Sequence, residues 1–225
     1  MNWPAITLTV RLAITVCLIL LAVGIPIAYW ITFSRWRGKF LVESVVALPL
    51  VLPPTVLGFY VLVAIGPRTA FGRWYQAWSG HGLPFTFEGL VLASVIYSLP
   101  FAVQPIAAAF AQVDPHLLQA SSVLGASRWR TFFRITLPLS LGGVLTGSVL
   151  SFAHTLGEFG VVLMVGGNIP GVTQTISISI YDQVQALDFA GANHTALLLL
   201  AFSFITLSVT YALSREVWAV WPLHR

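Results

Sequence analysis

Five long apolar runs divide the chain, and each is long enough to cross a lipid bilayer as a helix. They cover residues 12–33, 40–65, 89–111, 135–156 and 195–213. The hydrocarbon core of a bilayer needs about 20 apolar residues in a helix. A sixth apolar stretch, 159–167, is too short to cross alone. The pattern predicts an all-α polytopic membrane protein with five spans, organised as a single domain over residues 1–225.

The composition supports a bilayer rather than water as the main solvent. Only 8% of the residues are charged and 57% are hydrophobic, whereas soluble domains carry about 25% charged residues. The net charge of +4 comes from short basic clusters between the apolar runs, so nucleic acid is not expected as a partner. The five histidines are scattered and the single cysteine, Cys17, lies in an apolar run. The sequence therefore predicts no metal site, no catalytic residues and no internal disulfide.

The basic clusters also predict an orientation. With five spans, eight lysines and arginines fall on one side of the membrane and three on the other. The first group is Arg35, Arg37, Lys39, Arg128, Arg130, Arg134, Arg215 and Arg225, and the second is Arg11, Arg68 and Arg73. Cytoplasmic loops carry the excess of lysine and arginine. We therefore expect an N-terminus outside and a cytoplasmic C-terminus, with the chain embedded in the lipid of a bacterial cytoplasmic (inner) membrane.

Two features outside the regular runs mark special segments. The outer loop 66–88 contains Trp74, Tyr75 and Trp78, a composition typical of the membrane interface. Within the second run, Pro53 and Pro54 interrupt the helical hydrogen bonds. Broken backbone at membrane depth is tolerated where protein or a water-filled cavity satisfies the freed groups. The break is either a bend that lines a translocation path or a packing kink between helices.

The sequence of the loop 112–136, on the predicted cytoplasmic side, predicts a helix, a turn and a second helix. Asp114 followed by Pro115 is a favourable helix start, Gly125 can adopt the left-handed conformation that ends a helix, and Ser127 can cap the next one. Several apolar side chains would face solvent beneath the membrane. They are Leu117, Leu118, Leu124, Trp129, Phe132 and Phe133. Exposed apolar surface of this kind favours a docking site for another protein.

This loop resembles the EAA loop of importer permeases of the ATP-binding cassette class. Gln119-Ala120-Ser121 is followed after three residues by Gly125 and after nine more by Ile135-x-Leu137-Pro138. The family's usual glutamate and alanine are replaced by Gln119 and Ser121, so any salt bridge made by that glutamate is absent. The resemblance implies a type I importer permease fold in which a short cytoplasmic coupling helix enters a groove on a separate ATPase.

The same resemblance implies which residues contact that ATPase. They are Gln119, Ala120, Ser121, Gly125, Ala126, Arg128, Ile135, Leu137 and Pro138. Arg128, with Arg130 and Arg134, either orients the loop or pairs with acidic residues of the ATPase. The chain has no G-x-x-x-x-G-K-[ST] phosphate loop, because its single lysine, Lys39, is followed by Phe40. ATP and Mg²⁺ are therefore expected on the partner, with no cofactor and no enzymatic activity in this chain.

Three further segments resemble molybdate permeases: residues 48–58, residues 156–160, and residues 167–175 with their Gly-Asn-Ile-Pro-Gly sequence. The resemblance extends over about residues 11–215 and implies import of molybdate. It also implies three partners: a second permease copy forming a homodimer, two cytoplasmic ATP-binding subunits and an extracytoplasmic molybdate-binding protein. Permeases for sulfate, thiosulfate or tungstate share much of the pattern. An ATP-independent secondary transporter and a membrane enzyme are the alternatives from other classes.

The translocation path and gate are assigned to polar groups and breaks in or near the spans. These residues are Pro53, Pro54, Thr55, Gly157, Glu158, Phe159, Thr175 and Ser177. Hydroxyl groups give the weak, transient contacts that a path for anions needs. A short helix over 175–185 would also direct its N-terminus towards an anion. His154 lies one turn before Glu158, so the two form either a hydrogen-bonded packing pair or a proton relay.

Overall fold

A computed structural model describes residues 2–219, which form twelve α-helices and one π-helical turn. The helices are α1 (Trp3–Phe33), α2 (Lys39–Val51), α3 (Pro54–Ile65), α4 (Ala70–Ser79), α5 (Phe87–Ala111), α6 (Pro115–Val123), α7 (Arg128–Thr131), α8 (Leu137–Leu139), α9 (Leu141–Gly157), α10 (Gly160–Gly166), α11 (Ile176–Gln185) and α12 (Phe189–Ala219). The π-helical turn, Phe132–Thr136, joins α7 to α8. Arg225, one of the predicted cytoplasmic charges, lies outside the described residues.

Helix α1 begins nine residues before the predicted run. Asn2 caps it by accepting a hydrogen bond from the Ala5 amide at 3.2 Å, and Pro4 occupies the first turn, where a missing N–H has no cost. Its buried positions recur about every fourth residue and form one stripe. Arg11, expected at the start of the span, therefore lies inside the helix, with its guanidinium carbon 4.4 Å from the centroid of the Phe87 ring.

The second predicted span is not one helix. Helices α2 and α3 meet at an angle of 117°. The chain is extended at Leu52 and Pro53, with ψ angles of 136° at both residues. Leu52 precedes a proline, which disfavours helical backbone there, and neither Pro53 nor Pro54 carries a backbone N–H to continue the helix. The sequence predicted a bend at this place, and the bend is confirmed; the two helices together form either one broken span or a re-entrant loop.

The fourth and fifth predicted spans also have different bounds in the structure. Residues Arg128–Leu139 and α9 form a pair bent by 70° at Ser140, so the run over 135–156 is divided as well. Helix α12 begins at Phe189, six residues before the predicted start. Within the described residues, three helices are long and apolar enough to span a membrane, and the number is five if each bent pair is one span. This agrees with the predicted five.

Helix α5 is the central element, because both α1 and α9 pack along it. The contact with α9 uses small residues. A Cβ atom at Gly147 would lie 2.8 Å from the Ala102 carbonyl oxygen, and one at Gly143 would collide with Ala109 and with the Pro105 carbonyl. Small faces let helix backbones approach closely in lipid. Helix α3 packs against α10. This contact brings the break between α2 and α3 close to the end of α9.

Helix α4 accounts for most of the predicted interfacial segment. Thr69 caps it by accepting from the Gly72 amide, and Gly80, at φ +81°, ends it in the left-handed conformation. Trp74 and Trp78 are exposed. The placement of this helix at the membrane surface stays a prediction.

Candidate functional site

A cavity of ≈ 600 Å³ opens where the start of α3 meets the chain between α9 and α10. We call it the central cavity. It is lined by Pro54, Thr55, Tyr97, Ala153, His154, Gly157, Glu158, Phe159 and Gly160. Five of the eight residues predicted for the path are therefore brought together here, namely Pro54, Thr55, Gly157, Glu158 and Phe159. Pro53, a sixth, lies directly before Pro54 as the residue that precedes the first turn of α3.

The chain conformation at the two breaks explains why these residues meet. Helix α9 ends at Gly157, Glu158 has extended backbone angles, and α10 begins two residues later at Gly160. A Cβ atom at Gly160 would lie 2.7 Å from the Pro54 Cβ atom. Glycine at this position therefore allows the start of α10 to touch the start of α3. Because Gly160 has no side chain, the chain between α9 and α10 can contact the chain between α2 and α3.

Glu158 is the ionisable acid of the central cavity, and it is only 4% exposed. Neither of its carboxyl oxygens makes a hydrogen bond within the described residues. Ser94 of α5 is the neighbouring polar side chain, and its buried hydroxyl also lacks a bond of good geometry there. The ion pair found in the described part of the chain joins Lys39 to Glu43, at 4.0 Å, and does not involve Glu158. Within residues that the structure describes, no cation forms an ion pair with the Glu158 carboxyl group.

His154 is held by a chain of hydrogen bonds rather than by Glu158, so the predicted hydrogen-bonded pair is wrong. Its Nδ1 atom lies 2.9 Å from Ser98 Oγ, and Ser98 Oγ lies 3.2 Å from Thr155 Oγ1. Thr155 donates its own hydrogen to the Ser151 carbonyl at 2.8 Å. Ser98 therefore donates to Thr155, and the His154 Nδ1–H group donates to Ser98.

The His154 ring is also fixed by aromatic contacts, which the sequence did not predict. It stacks on Phe101 with ring centroids 4.0 Å apart, and the Tyr97 ring lies 4.7 Å away. Tyr97 and Phe101 are four residues apart on α5, so they share one face. Tyr97 was missed because an aromatic residue in an apolar run resembles any packing residue. The spacing of four residues between Tyr97 and Phe101 was the feature of the sequence that could have placed both rings on one helix face.

Replacing Ser98 with alanine is expected to destabilise the protein by about 1–3 kcal/mol, because the Nδ1–H group of the half-buried His154 would lose its acceptor. The thermal midpoint in detergent should fall by roughly 2–12 °C. The control is Ser44→Ala, since Ser44 is exposed and its hydroxyl bonds only to the Phe40 carbonyl of its own helix. Equal midpoints for the two variants would contradict a structural role for Ser98.

Thr175 and Ser177 lie apart from the central cavity, on α11. Thr175 caps that helix by accepting from the Ile178 amide, and the Ile176 amide donates to Thr9 Oγ1 of α1 at 2.9 Å. The Ser177 hydroxyl is buried without a hydrogen bond within the described residues. The helix start predicted for this segment is confirmed. Anion contact at Thr175 and Ser177 stays a prediction, and two of the first amides of α11 are already bonded.

The loop after α5 has the predicted helix–turn–helix form, and we call residues 112–139 the coupling loop. Asp114 accepts from the His116 amide at 2.8 Å and starts α6, while Ser127 accepts from the Arg130 amide and starts α7. Gly125, at φ +75°, makes the turn between them. The apolar side chains at this turn are strongly exposed: Val123 is 88%, Leu124 86% and Trp129 73% exposed.

The predicted contact residues divide into two groups. Gln119, Ala120, Gly125, Arg128 and Pro138 are exposed, whereas Ala126, Ile135 and Leu137 are half-buried and Ser121 is buried. The Ser121 hydroxyl lies 2.8 Å from Thr131 Oγ1 and so joins α6 to α7. A serine in place of the usual alanine therefore stiffens the coupling loop.

One predicted exposed residue of the coupling loop is buried. Phe132 packs edge-on against Tyr29 and Phe110, with ring centroids 5.1 and 6.0 Å away. It lies in the π-helical turn, where one extra residue per turn rotates the side chains. Phe132 faces the core while Phe133 and Trp129 stack on each other outside. Phe132 is thus an anchor of the coupling loop, and its predicted exposure was wrong.

The sequence profile of the family described as "Binding-protein-dependent transport system inner membrane component" matches residues 6–219. The chain belongs to this family. It is therefore a multi-pass transport permease of the inner membrane, as predicted.

Among relatives of this permease, the molybdenum transport system permease protein ModB of Azotobacter vinelandii is 50% identical over 211 residues, covering 94% of this chain and 93% of that protein. ModB of Escherichia coli K12 is 40% identical over 215 residues, covering 95% and 94%. The sulfate transport system permease protein CysT of the same strain is 30% identical over 184 residues, covering 82% and 66%.

Solved structures show the same fold for this permease. The bacterial ABC transporter involved in the import of the acidic polysaccharide alginate has a TM-score of 0.77 at 21% identity, covering 95% of this chain and 79% of that one. The MetNI methionine ABC transporter, in an inward-facing conformation, has a TM-score of 0.77 at 13% identity, covering 96% of both. The predicted all-α permease fold of type I ABC importers is confirmed.

Proposed function

We propose that this permease forms the path by which an ATP-driven importer moves molybdate into the cell. The observation that carries the proposal is the central cavity, which lies between the break that precedes α3 and the end of α9, in a chain that matches molybdenum permeases over nearly its whole length. Broken helices at membrane depth expose backbone groups to a substrate. No lysine or arginine is among the cavity's described lining residues, so an anion would be held weakly enough to leave.

The coupling loop is the proposed contact with a separate ATP-hydrolysing subunit. Its turn presents Val123, Leu124 and Trp129 to solvent, which is costly unless another protein covers them. Ser121 and Phe132 fix the loop to the rest of the chain, so force applied at the turn reaches the spans. Gln119, Ala120, Gly125 and Arg128 surround the turn and complete the contact.

The proposed assembly contains two permease copies, two ATP-binding subunits and an extracytoplasmic binding protein for molybdate. A single chain only partly encloses the central cavity, and we propose that a second copy related by two-fold symmetry completes it. The coupling loop is then cytoplasmic, the N-terminus is outside, and ATP and Mg²⁺ bind only to the partner. The basic residues Arg128, Arg130 and Arg134 on the coupling loop support this orientation.

The test is uptake of labelled molybdate by liposomes that contain the permease with its ATPase, with the binding protein outside and ATP inside. We expect uptake that stops when ATP is omitted, and co-purification of the ATPase with the permease. A second arm adds sulfate at equal concentration to the labelled molybdate. Strong inhibition there would assign the permease to sulfate instead. Uptake by the permease alone, with no ATPase present, would refute the ATP-driven importer and favour a secondary transporter.

A further inference from the structure

The carboxyl group of Glu158 requires an explanation beyond its position in the path. It lines the central cavity, is nearly fully buried, and makes no hydrogen bond within the described residues. A carboxylate removed from water is strongly disfavoured unless cations or hydrogen-bond donors surround it. Here no described ion pair includes Glu158. A negative charge at this place would also repel an anion in transit.

The ionisable groups around Glu158 do not compensate it. Tyr97 of α5 and His154 of α9 line the cavity with it, while the lining residues of α3 and α10 carry no ionisable group. The Nδ1–H group of His154 is directed to Ser98. On α11, Tyr181 packs against Phe159, next to Glu158 in the chain.

More distant ionisable groups on the packed helices have partners of their own. Asp182 of α11 accepts hydrogen bonds from Asn168 and Gln174 at 2.7 and 2.9 Å. On α1, Arg11 lies over the Phe87 ring and Cys17 bonds to the Ser148 carbonyl. The surroundings of Glu158 therefore suit an uncharged acid.

We propose that Glu158 acts in its protonated form, turning its enclosed carboxyl group into the central cavity to donate a hydrogen bond to the oxyanion, and that loss of this proton closes the cavity to anions. The O–H group of a neutral carboxylic acid is a donor, whereas the carboxylate only accepts. It acts with the hydroxyl groups of Thr55 and Tyr97, which line the same cavity and donate a hydrogen bond to no other group in the described part of the chain. A dianion would thus meet three uncharged donors.

The form of the acid can be tested without any cargo. The permease is reconstituted in lipid at neutral pH, and infrared spectra of the parent and of Glu158→Gln are subtracted. We expect the carbonyl stretching band of a neutral carboxylic acid in the parent, shifted in deuterium oxide and absent from the variant. The matched control is Glu88→Gln, because Glu88 is exposed in the first turn of α5. A difference spectrum that shows only carboxylate bands would overturn the proposal.

The second test measures uptake against pH and rests on the proposed import of molybdate. The parent should lose uptake as pH rises and the proton on Glu158 is lost. Glu158→Gln keeps a neutral N–H donor that does not ionise, so its uptake should lose that dependence on pH. Glu158→Ala removes the donor, so its uptake should be about tenfold below that of Glu158→Gln at every pH.

The outcomes separate the two proposals. Dividing the parent's uptake by that of Glu158→Gln at each pH removes effects of pH on the ATPase and the binding protein. If folded Glu158→Gln fails at every pH, or if the ratio is flat, the donor role is wrong although molybdate import stands. If the parent takes up no molybdate at all, the proposed cargo is wrong, while the infrared band still decides whether Glu158 is protonated.

Discussion

Replacing Gly143 with leucine is expected to lower the thermal midpoint of the detergent-solubilised permease by roughly 6–12 °C, which corresponds to about 3 kcal/mol for a chain of this size. The side chain would have to enter the space between α9 and α5. A Cβ atom alone already collides with Ala109 and the Pro105 carbonyl. Backbone atoms of α5 cannot move aside as the end of a flexible side chain could, so the two helices must separate.

The neighbouring glycine provides the control for this prediction. A Cβ atom at Gly142 meets no atom within 4 Å, so Gly142→Leu has room on the same turn of the same helix. Its midpoint should stay within about 2 °C of the parent. Both variants carry the same helix-favouring change from glycine, which cancels in the comparison. Equal losses at the two positions would show that the close approach of α5 and α9 is not what stabilises the fold.

Replacing Leu124 with aspartate is expected to weaken binding of the ATPase at least tenfold, or by about 1.4 kcal/mol or more, and to reduce ATP-dependent uptake with it. Leu124 is 86% exposed at the end of α6, so the fold does not need its side chain. A carboxylate buried in an apolar groove of the partner would lack a counter-charge. The measurement is the amount of ATPase that co-purifies with the permease.

Two comparisons make the Leu124 result specific. Leu124→Met keeps an apolar side chain of similar volume and should retain both the ATPase and uptake. The thermal midpoint of Leu124→Asp, measured without the ATPase, should equal that of the parent. Co-purification of Leu124→Asp at the parent level would exclude the turn at Gly125 as the docking surface. A lowered midpoint would instead reveal a structural role that its exposure does not suggest.

The pattern of apolar runs predicted the number and class of the helices because length and hydropathy decide whether a segment can span a bilayer. It could not predict the angle of 117° between α2 and α3. Two adjacent prolines require a break, but the direction of the chain after it depends on contacts with α10, which is distant in sequence. The starts of α1 and α12 were misplaced because the polar residues Arg11 and His194 were taken as lying outside the spans, although helices continue beyond the hydrocarbon.

The candidate site was predicted in part, for a related reason. Helix caps and turns depend on residues that are close in sequence. The caps at Asp114 and Ser127 and the turn at Gly125 were therefore predicted from the sequence, and all three are confirmed. The partners of Glu158 and His154 are set by helix packing. Spacing of one turn suggested that the two residues bond to each other, yet Ser98 on α5 competes for the imidazole. Contacts of this kind join residues that are far apart in the sequence, so the pattern of a single segment does not predict them.

Helix α9 joins the coupling loop to the central cavity. It starts after Ser140, next to the coupling loop, and ends at Gly157, beside Glu158. Its 17 residues span about 25 Å. An axial shift at the end beside the coupling loop would thus displace Gly157 and Glu158 by a similar distance through the backbone itself, without a relay of side chains. One helix can therefore carry motion of that loop to the central cavity, about 25 Å away.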